Sequence, residues 1–326
     1  MAVFSREVMK LDLKAELAFI DATLKRQVMG ELKKKGVVVG ISGGIDSATV
    51  AALAVHALGK DRVFGLFMPE RASSDESLEL GEKLAASLGI AAERVDIAPA
   101  LEALGCYRAQ HEAIQAVFPE AKADWRFKIT LPSILESDRL NFYQLTVQAP
   151  GGEPRTTRLP LEPYLKLVAA TNFKQRVRKM TEYFHADRLN YAVSGTPNRL
   201  EYDQGFFVKQ GDGAADVKPI AHLYKTQVYA LAAELGVPKE ILRRPPTTDT
   251  YSLSQGQDEF FFALPHGEMD LCLYAHDHRV PAAECAQVVG LKPEQVERVY
   301  RDIESKRRFA HYLHAPPLLI RPVEQS

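Results

Sequence analysis

Cysteine is scarce in this chain of 326 residues. Cys106, Cys272 and Cys285 are scattered without metal-ligand spacing, so the expectation is buried free thiols in a reducing compartment rather than a disulfide framework or a zinc site. Long apolar runs are missing as well. No window approaches about 18 uninterrupted apolar residues, and no transmembrane helix is expected. Charges interrupt every apolar stretch of the opening MAVFSREVMKLDLKAELAFI, so no signal peptide is expected either. Excess charge of one sign is also absent. Forty-one Lys and Arg against 42 Asp and Glu leave a net charge of −1, which gives no basic field to attract nucleic acid. His222, His276, His278, His311 and His314 show no zinc pattern. Repeats and low-complexity tracts are lacking. These absences point to a cytoplasmic protein without a membrane or nucleic-acid partner. With 46% hydrophobic and 25% charged residues, it is expected to form a single large domain over 1–326.

What is present is organised around residues 36–47, GVVVGISGGIDS. Val37, Val38 and Val39 read as a short buried strand, Gly40-Ile41-Ser42-Gly43-Gly44 as a loop, and a helix opens near Asp46. Ser42, Gly43, Gly44 and Ser47 leave N–H groups and hydroxyls uncovered at a helix N-terminus, where the dipole favours an anion. The loop is a candidate phosphate cradle; the alternative is structural punctuation in a strand-to-helix turn. Asp46 stands where a Walker loop needs Lys, and glycines at 40, 43 and 44 do not make GxGxxG. What remains, S-G-G-x-D-S, resembles the pyrophosphate loop of the ATP-pyrophosphatase (N-type) superfamily, which cleaves ATP to AMP and pyrophosphate.

Strand and helix patterns alternate around this loop. Helical spacing predicts helices over 11–35, 46–58 and about 75–88, and β-branched runs predict strands over 63–68 and 94–97. That order implies an α/β fold, a doubly wound parallel sheet with flanking helices, whose ligand site lies beyond the carboxyl end of its first strand. A helix is expected over 102–118. Residues 122–163 then read as an inserted hairpin-like excursion, with strands over 125–130, 141–147 and 156–161 and a strong turn at 149–154. An elaborated surface or a dimer contact is its expected role. Further helices are predicted over 165–185, 199–204 and 225–235, with a strand at 190–194. Arg243-Arg244-Pro245-Pro246 breaks any helix. A C-terminal helical segment, 265–326, is expected to pack on the same domain, its last helix over 293–312.

The second half distinguishes members of the superfamily. Asn172 to Arg178 (N-F-K-Q-R-V-R), Gly195-Thr196-Pro197-Asn198 with Glu201, F-F-V-K-Q-G-D-G-A-A-D over 206–216, P-I-A-H-L-Y-K-T-Q-V over 219–228 and E-S-K-R-R over 304–308 follow in order. Together they resemble the NAD synthetase family, ligases that amidate nicotinic acid adenine dinucleotide (deamido-NAD). The likeness covers roughly 36–100 and 165–310.

That resemblance implies an adenine nucleotide alpha hydrolase-like fold and an acyl-adenylate intermediate, with ATP as co-substrate and magnesium as cofactor. Gly40, Ile41, Ser42, Gly43, Gly44, Ser47, Thr196, Lys225 and Thr247 would contact ATP. Thr248 is the alternative to Thr247, because 247–254 departs from the family pattern. The excursion at 122–163 departs from it as well and, falling before Arg176, could reshape or cover the dinucleotide site. Asp46 and Glu201 would hold Mg2+, whose preference is for hard carboxylate oxygens beside phosphate and water. Asp46 and Lys225 would act in catalysis. Arg176, Lys209, Asp216, Ser305 and Lys306 would bind deamido-NAD, the cations answering its phosphates. Simpler readings stand beside these: Arg176 and Arg178 as a solvated helix face, 211–213 as a plain turn, Glu201 paired with Arg199 or Lys209. A lysine at a helix start opposes the dipole, which argues for a ligand role at Lys225. The family is typically homodimeric. No glutaminase domain fits this length, so free ammonia or a separate glutaminase protein is the expected nitrogen source. The alternatives are the same adenylation on another carboxylate, or a catalytically silent nucleotide-binding regulator.

Overall fold

Three consecutive valines set the layering. In the computed structural model, which describes residues 4–131, 135, 142–245, 251–253, 256, 261–262 and 264–323, they form β1 (Val37–Gly40). Val37 and Val39 point into one apolar core and Val38 into another. A strand buried on both faces needs helices on both sides, and the chain supplies them. On one side lie α1 (Leu13–Lys25), α2 (Ile45–Leu58) and α3 (Asp75–Leu88). On the other lie α4 (Ala98–Ala103), α5 (Cys106–Gln115) and the 29-residue α6 (Leu161–Leu189).

β1, β2 (Val63–Phe67), β3 (Ala91–Arg94) and β7 (Ala192–Ser194) form a parallel sheet in the order β3-β2-β1-β7. This is the expected α/β architecture, with local differences. The apolar Val95 and Ile97 predict a third strand at 94–97, whereas the ladder holds 91–94. Val95 N and Ile97 N still donate to Phe67 O and Pro69 O (2.8 and 3.1 Å), so the chain stays beside β2 while it delivers Ile97 to the core. The helix expected over 102–118 is broken at Gly105, which adopts a left-handed φ of 75°. The one expected over 11–35 ends α-helical geometry at Lys25 and continues as a π-type turn to Glu31.

The excursion folds as an antiparallel sheet of β4 (Arg126–Thr130), β5 (Gln144–Gln148) and β6 (Arg155–Arg158). Phe127, Ile129, Leu145 and Val147 alternate inward against Ala113 and Ile114 of α5, Leu167 of α6 and Tyr251. Residues 251–253 dock on its edge: Phe127 N donates to Ser252 Oγ (2.9 Å) and Leu253 N to Phe127 O (3.1 Å).

The remaining elements are α7 (Arg199–Gln204), α8 (Lys225–Glu234), α9 (Lys239–Arg243), α10 (His266–Asp277), α11 (Ala282–Val289) and α12 (Pro293–His314). α10, α11 and α12 share an apolar cluster with Phe4, Leu200 and Tyr224. Among the described residues no helix is long and apolar enough to cross a membrane.

Ile129 is fully buried, and shortening it leaves a cavity the rigid sheet cannot close. Ile129→Ala is expected to cost about 2–4 kcal/mol of stability, read from urea unfolding. A loss below about 0.5 kcal/mol would contradict the packing described.

Candidate active site

The sheet places its own crevice. From β1 the chain crosses to β2 on one side, while β7 pairs with β1 on the other, so the connections diverge between β1 and β7. Open α/β sheets hold ligands at such a point, beyond the carboxyl ends of the strands. Here the loop after β1 (41–44) faces the loop after β7 (195–198).

The first loop is tied to the start of α2 by hydroxyls. Ser42 N donates to Ser47 Oγ (3.2 Å), the two hydroxyls lie 3.1 Å apart, Ser47 Oγ donates to Gly44 O (3.1 Å) and Gly44 N to Ser42 Oγ (3.3 Å). α2 itself begins without a side-chain cap. Its dipole end therefore opens toward the crevice, as anion binding requires. Gly43 has φ 76°, and a Cβ there would sit 2.3 Å from Ser77 O, so only glycine fits between the loop and α3.

Asp46, in the first turn of α2, joins the two halves of the chain. Its Oδ1 accepts from Asn198 Nδ2 (3.1 Å), and its Oδ2 pairs with the ammonium of Lys225. Glu201 is adjacent through the same asparagine: Asn198 N donates to Glu201 Oε2 and Glu201 N to Asn198 Oδ1, each 3.2 Å, in a capping box that starts α7. Burial opposes the charge on Lys225, but Asp46 and Glu201 outweigh it and hold the ammonium above its ordinary range. Lys225 is fixed from behind by Asp270 of α10, whose carboxylate accepts from Lys225 N (3.2 Å) and Thr226 N (2.7 Å). Burial pushes Asp270 up to about 6.

Asp46, Glu201 and Lys225 line a cavity of about 1220 Å³, more than a single small ligand needs. Arg176, Lys209, Ser305 and Lys306 line it as well. Arg176 Nε donates to Lys209 O (3.3 Å), and Lys209 Nζ donates to Tyr312 O (2.8 Å) and Ala315 O (3.0 Å), so α6, the 206–216 segment and the end of α12 are tied together. Lys306 donates to Phe261 O and to Asp302 Oδ2 (2.6 Å); burial draws its pKa down against the pull of Asp302.

Of the residues singled out in the sequence, Gly40, Ile41, Ser42, Gly44, Asp46, Ser47, Thr196, Glu201, Arg176, Lys209, Lys225, Ser305 and Lys306 meet at this cavity. Gly43 packs behind it on α3. Asp216 is not in the lining: its oxygens accept from Val193 N (2.7 Å) and Tyr183 OH (3.2 Å), which fixes the end of the 206–216 segment to β7 and α6. Thr247, like Thr248, lies outside the described residues. Glu201 does not pair with Arg199 or Lys209 as the simpler reading had it; Arg199 pairs with Asp277 at 2.8 Å and Lys209 with backbone carbonyls.

Other lining residues escaped the sequence reading. Tyr143, just before β5, stacks on Tyr164 of α6, ring centroids 4.4 Å apart, and with Leu131 and Tyr251 they bring the antiparallel sheet into the wall of the cavity. Lys174 and Glu70 form a buried pair at 2.8 Å, and Lys179 pairs with Glu182 beside Gly40. Arg244, expected only to mark a helix end, lines the cavity next to the 42–47 loop. Lys179 and Glu182 are three residues apart on α6, but each of the others depends on a partner more distant in the chain, so local pattern carries no sign of it.

A family model described as NAD synthase matches residues 17–138 and 154–311, leaving out β5 and the turn after it. An NH(3)-dependent NAD(+) synthetase of Mesorhizobium japonicum is 60% identical over 312 residues, which span 96% of this chain and 98% of that protein. One of Rhizobium meliloti is 54% identical over 323 residues, 99% of this chain and 96% of that protein. Among solved structures, an NH3-dependent NAD synthetase from Campylobacter jejuni, in complex with the nitrate ion, superposes with TM-score 0.60 at 22% identity over 95% of this chain and 100% of that one. At that identity the likeness carries the fold alone, an adenine nucleotide alpha hydrolase-like α/β sheet.

Proposed function

The chain belongs to the NAD synthase family, and from that premise we propose that it makes NAD by ATP-dependent amidation of deamido-NAD with ammonia, releasing AMP and pyrophosphate. The observation that carries the reading is the junction of Asp46, Asn198, Glu201 and Lys225 at the head of the 42–47 loop.

A carboxylate does not react with ammonia directly, because its oxygen is a poor leaving group. The nicotinate carboxylate of deamido-NAD attacks the α-phosphorus of ATP, a bond from carboxylate oxygen to phosphorus forms, and pyrophosphate departs with the electron pair of the broken bond. Ammonia then attacks the acyl carbon, and AMP leaves with the oxygen. The chain's own contribution is placement and charge. The hydroxyls and amides of Ser42, Gly44 and Ser47 receive the β- and γ-phosphates, and Lys225 answers charge at the reacting phosphate. Thr196, just after β7, and Gly40 and Ile41 are assigned to the nucleotide, since all three line the cavity. We assign Arg176, Lys209, Ser305 and Lys306 to the dinucleotide, and to Asp216 the anchoring of the segment that carries Lys209.

A magnesium ion fits the donor set. Two carboxylates, Asp46 and Glu201, meet at Asn198 on the cavity wall, and among the described residues no group of three or more His, Cys, Asp or Glu forms a self-sufficient metal cage. One or two carboxylates completed by phosphate oxygens and water is the pattern of that ion. Bound there, Mg2+ would neutralise phosphate charge.

The homodimer belongs to the same proposal. Met180 and Phe184, one turn apart on α6, are exposed at 64% and 63%, an apolar pair that a second copy would cover. Sedimentation equilibrium tests it, and a monomer at micromolar concentration would contradict it. We place the enzyme in the cytoplasm, where its three buried free thiols stay reduced. Nitrogen comes from free ammonia or from a separate glutaminase.

Incubated with ATP, Mg2+, ammonium and deamido-NAD, the purified chain is expected to yield NAD and AMP in equal amounts. Glutamine in place of ammonium is expected to yield almost none. AMP formation only with another acid would contradict the assigned acceptor, and equal rates with glutamine the ammonia dependence.

A further inference from the structure

A departing pyrophosphate carries several negative charges, and the loop that receives it offers only neutral donors. The position where a Walker loop has lysine is Asp46, and the ammonium of Lys225 is engaged with that carboxylate. Another cation reaches the loop from the opposite side. Arg244, just past the end of α9, extends its guanidinium over the seam between the 42–47 loop and the start of α3. Its Nη1 donates to Gly43 O (3.5 Å), and its Nη2 donates to Ser77 Oγ (2.8 Å) and Ser74 Oγ (3.4 Å). Nε lies 3.7 Å from Glu76 Oε2, a carboxylate largely in solvent, while the Arg244 side chain is only 11% exposed. Arg244, Ser74 and Ser77 all line the cavity beside Ser42 and Ser47.

We propose that Arg244 is a pyrophosphate-binding residue. With the Ser74 and Ser77 hydroxyls it holds the β- and γ-phosphates of ATP, and then the leaving pyrophosphate, against the 42–47 loop. A planar guanidinium matches two phosphate oxygens at once, and in a half-enclosed site such a charge-assisted pair is stronger than a neutral hydrogen bond. The contact with Gly43 explains how the fork is aimed: the loop and α3 touch where a Cβ has no room, and Arg244 spans that junction. The step it serves is pyrophosphate departure, in which the bond from the α-phosphorus to the bridging oxygen breaks and the charge collects on the leaving group. The inference rests on the adenylation reading above.

The test compares Arg244→Ala and Arg244→Lys with the wild type in the full reaction. Arg244→Ala is expected to raise the inhibition constant of inorganic pyrophosphate and the KM for ATP about ten- to hundredfold, with the KM for deamido-NAD unchanged. Added methylguanidinium is expected to recover part of the loss, and Arg244→Lys, which keeps charge without the fork, to fall between. Inhibition by pyrophosphate at wild-type strength in either variant would overturn the proposal. So would a parallel rise in both KM values without rescue, the mark of a merely structural clamp. Should Arg244→Ala fail to fold, the lysine variant decides by the same comparison. If the wild type itself released no pyrophosphate from ATP and deamido-NAD, the adenylation reading would fail, which is a separate result.

Discussion

The contact on which the rest of this site depends is the ammonium of Lys225 on the carboxylate of Asp46. It joins residues 179 positions apart in the chain, one in the first turn of α2 and the other in the first turn of α8. Each side is expensive alone. An unpaired buried lysine would lose its proton or unfold its surroundings, and the helix dipole at the start of α8 adds to that cost. The pairing is therefore obligatory, and the fold supplies its supports: Asp270 behind the α8 amides, Asn198 on the other oxygen of Asp46, Glu201 beyond. The dipole argument in the sequence pointed to a ligand role for Lys225; in the structure its ammonium is engaged with Asp46.

The antiparallel sheet gives the cavity a second source of shape. Its core is continuous with α5 and α6, and its Tyr143–Tyr164 stack stands in the cavity wall rather than at a distant surface. Residues 251–253 lie along its edge, bonded to Phe127 of β4. A surface elaboration or dimer contact was the first expected use of this region and reshaping or covering the dinucleotide site the alternative; its residues line the cavity. Residues with no part in the chemistry, such as Ile129 and Leu145, thereby help hold the wall of the site.

How much of this was legible follows from which interactions are local. β1, α2 and α8 announce themselves by β-branched runs, helical spacing and glycine stops within about 15 residues, and those elements stand where the pattern put them. The third strand was displaced because Val95 and Ile97 carry the apolar signal, while the ladder belongs to exposed residues on the sheet edge. The 102–118 helix split because Gly105 turns left-handed, a choice its neighbours do not dictate. At the site, Ser42, Asp46, Glu201 and Lys225 were readable as motifs. Asn198 as the bridge, Arg244 on the loop and Asp270 behind Lys225 were not, because each bond spans 45 to 201 residues. Asp216 shows the converse. Its motif suggested ligand contact; in the structure it lies outside the cavity lining and accepts from Val193 N and Tyr183 OH.

The central claim is that Asp46, held by Lys225 and Asn198, makes pyrophosphate departure possible. Asp46→Asn keeps the size of the side chain and an acceptor, but removes the charge that Lys225 and the proposed magnesium ion require. Circular dichroism should show the variant folded at low temperature. Its pyrophosphate release from ATP and deamido-NAD is expected to fall by about a hundredfold or more. Turnover at the wild-type rate in a folded Asp46→Asn protein would contradict the account.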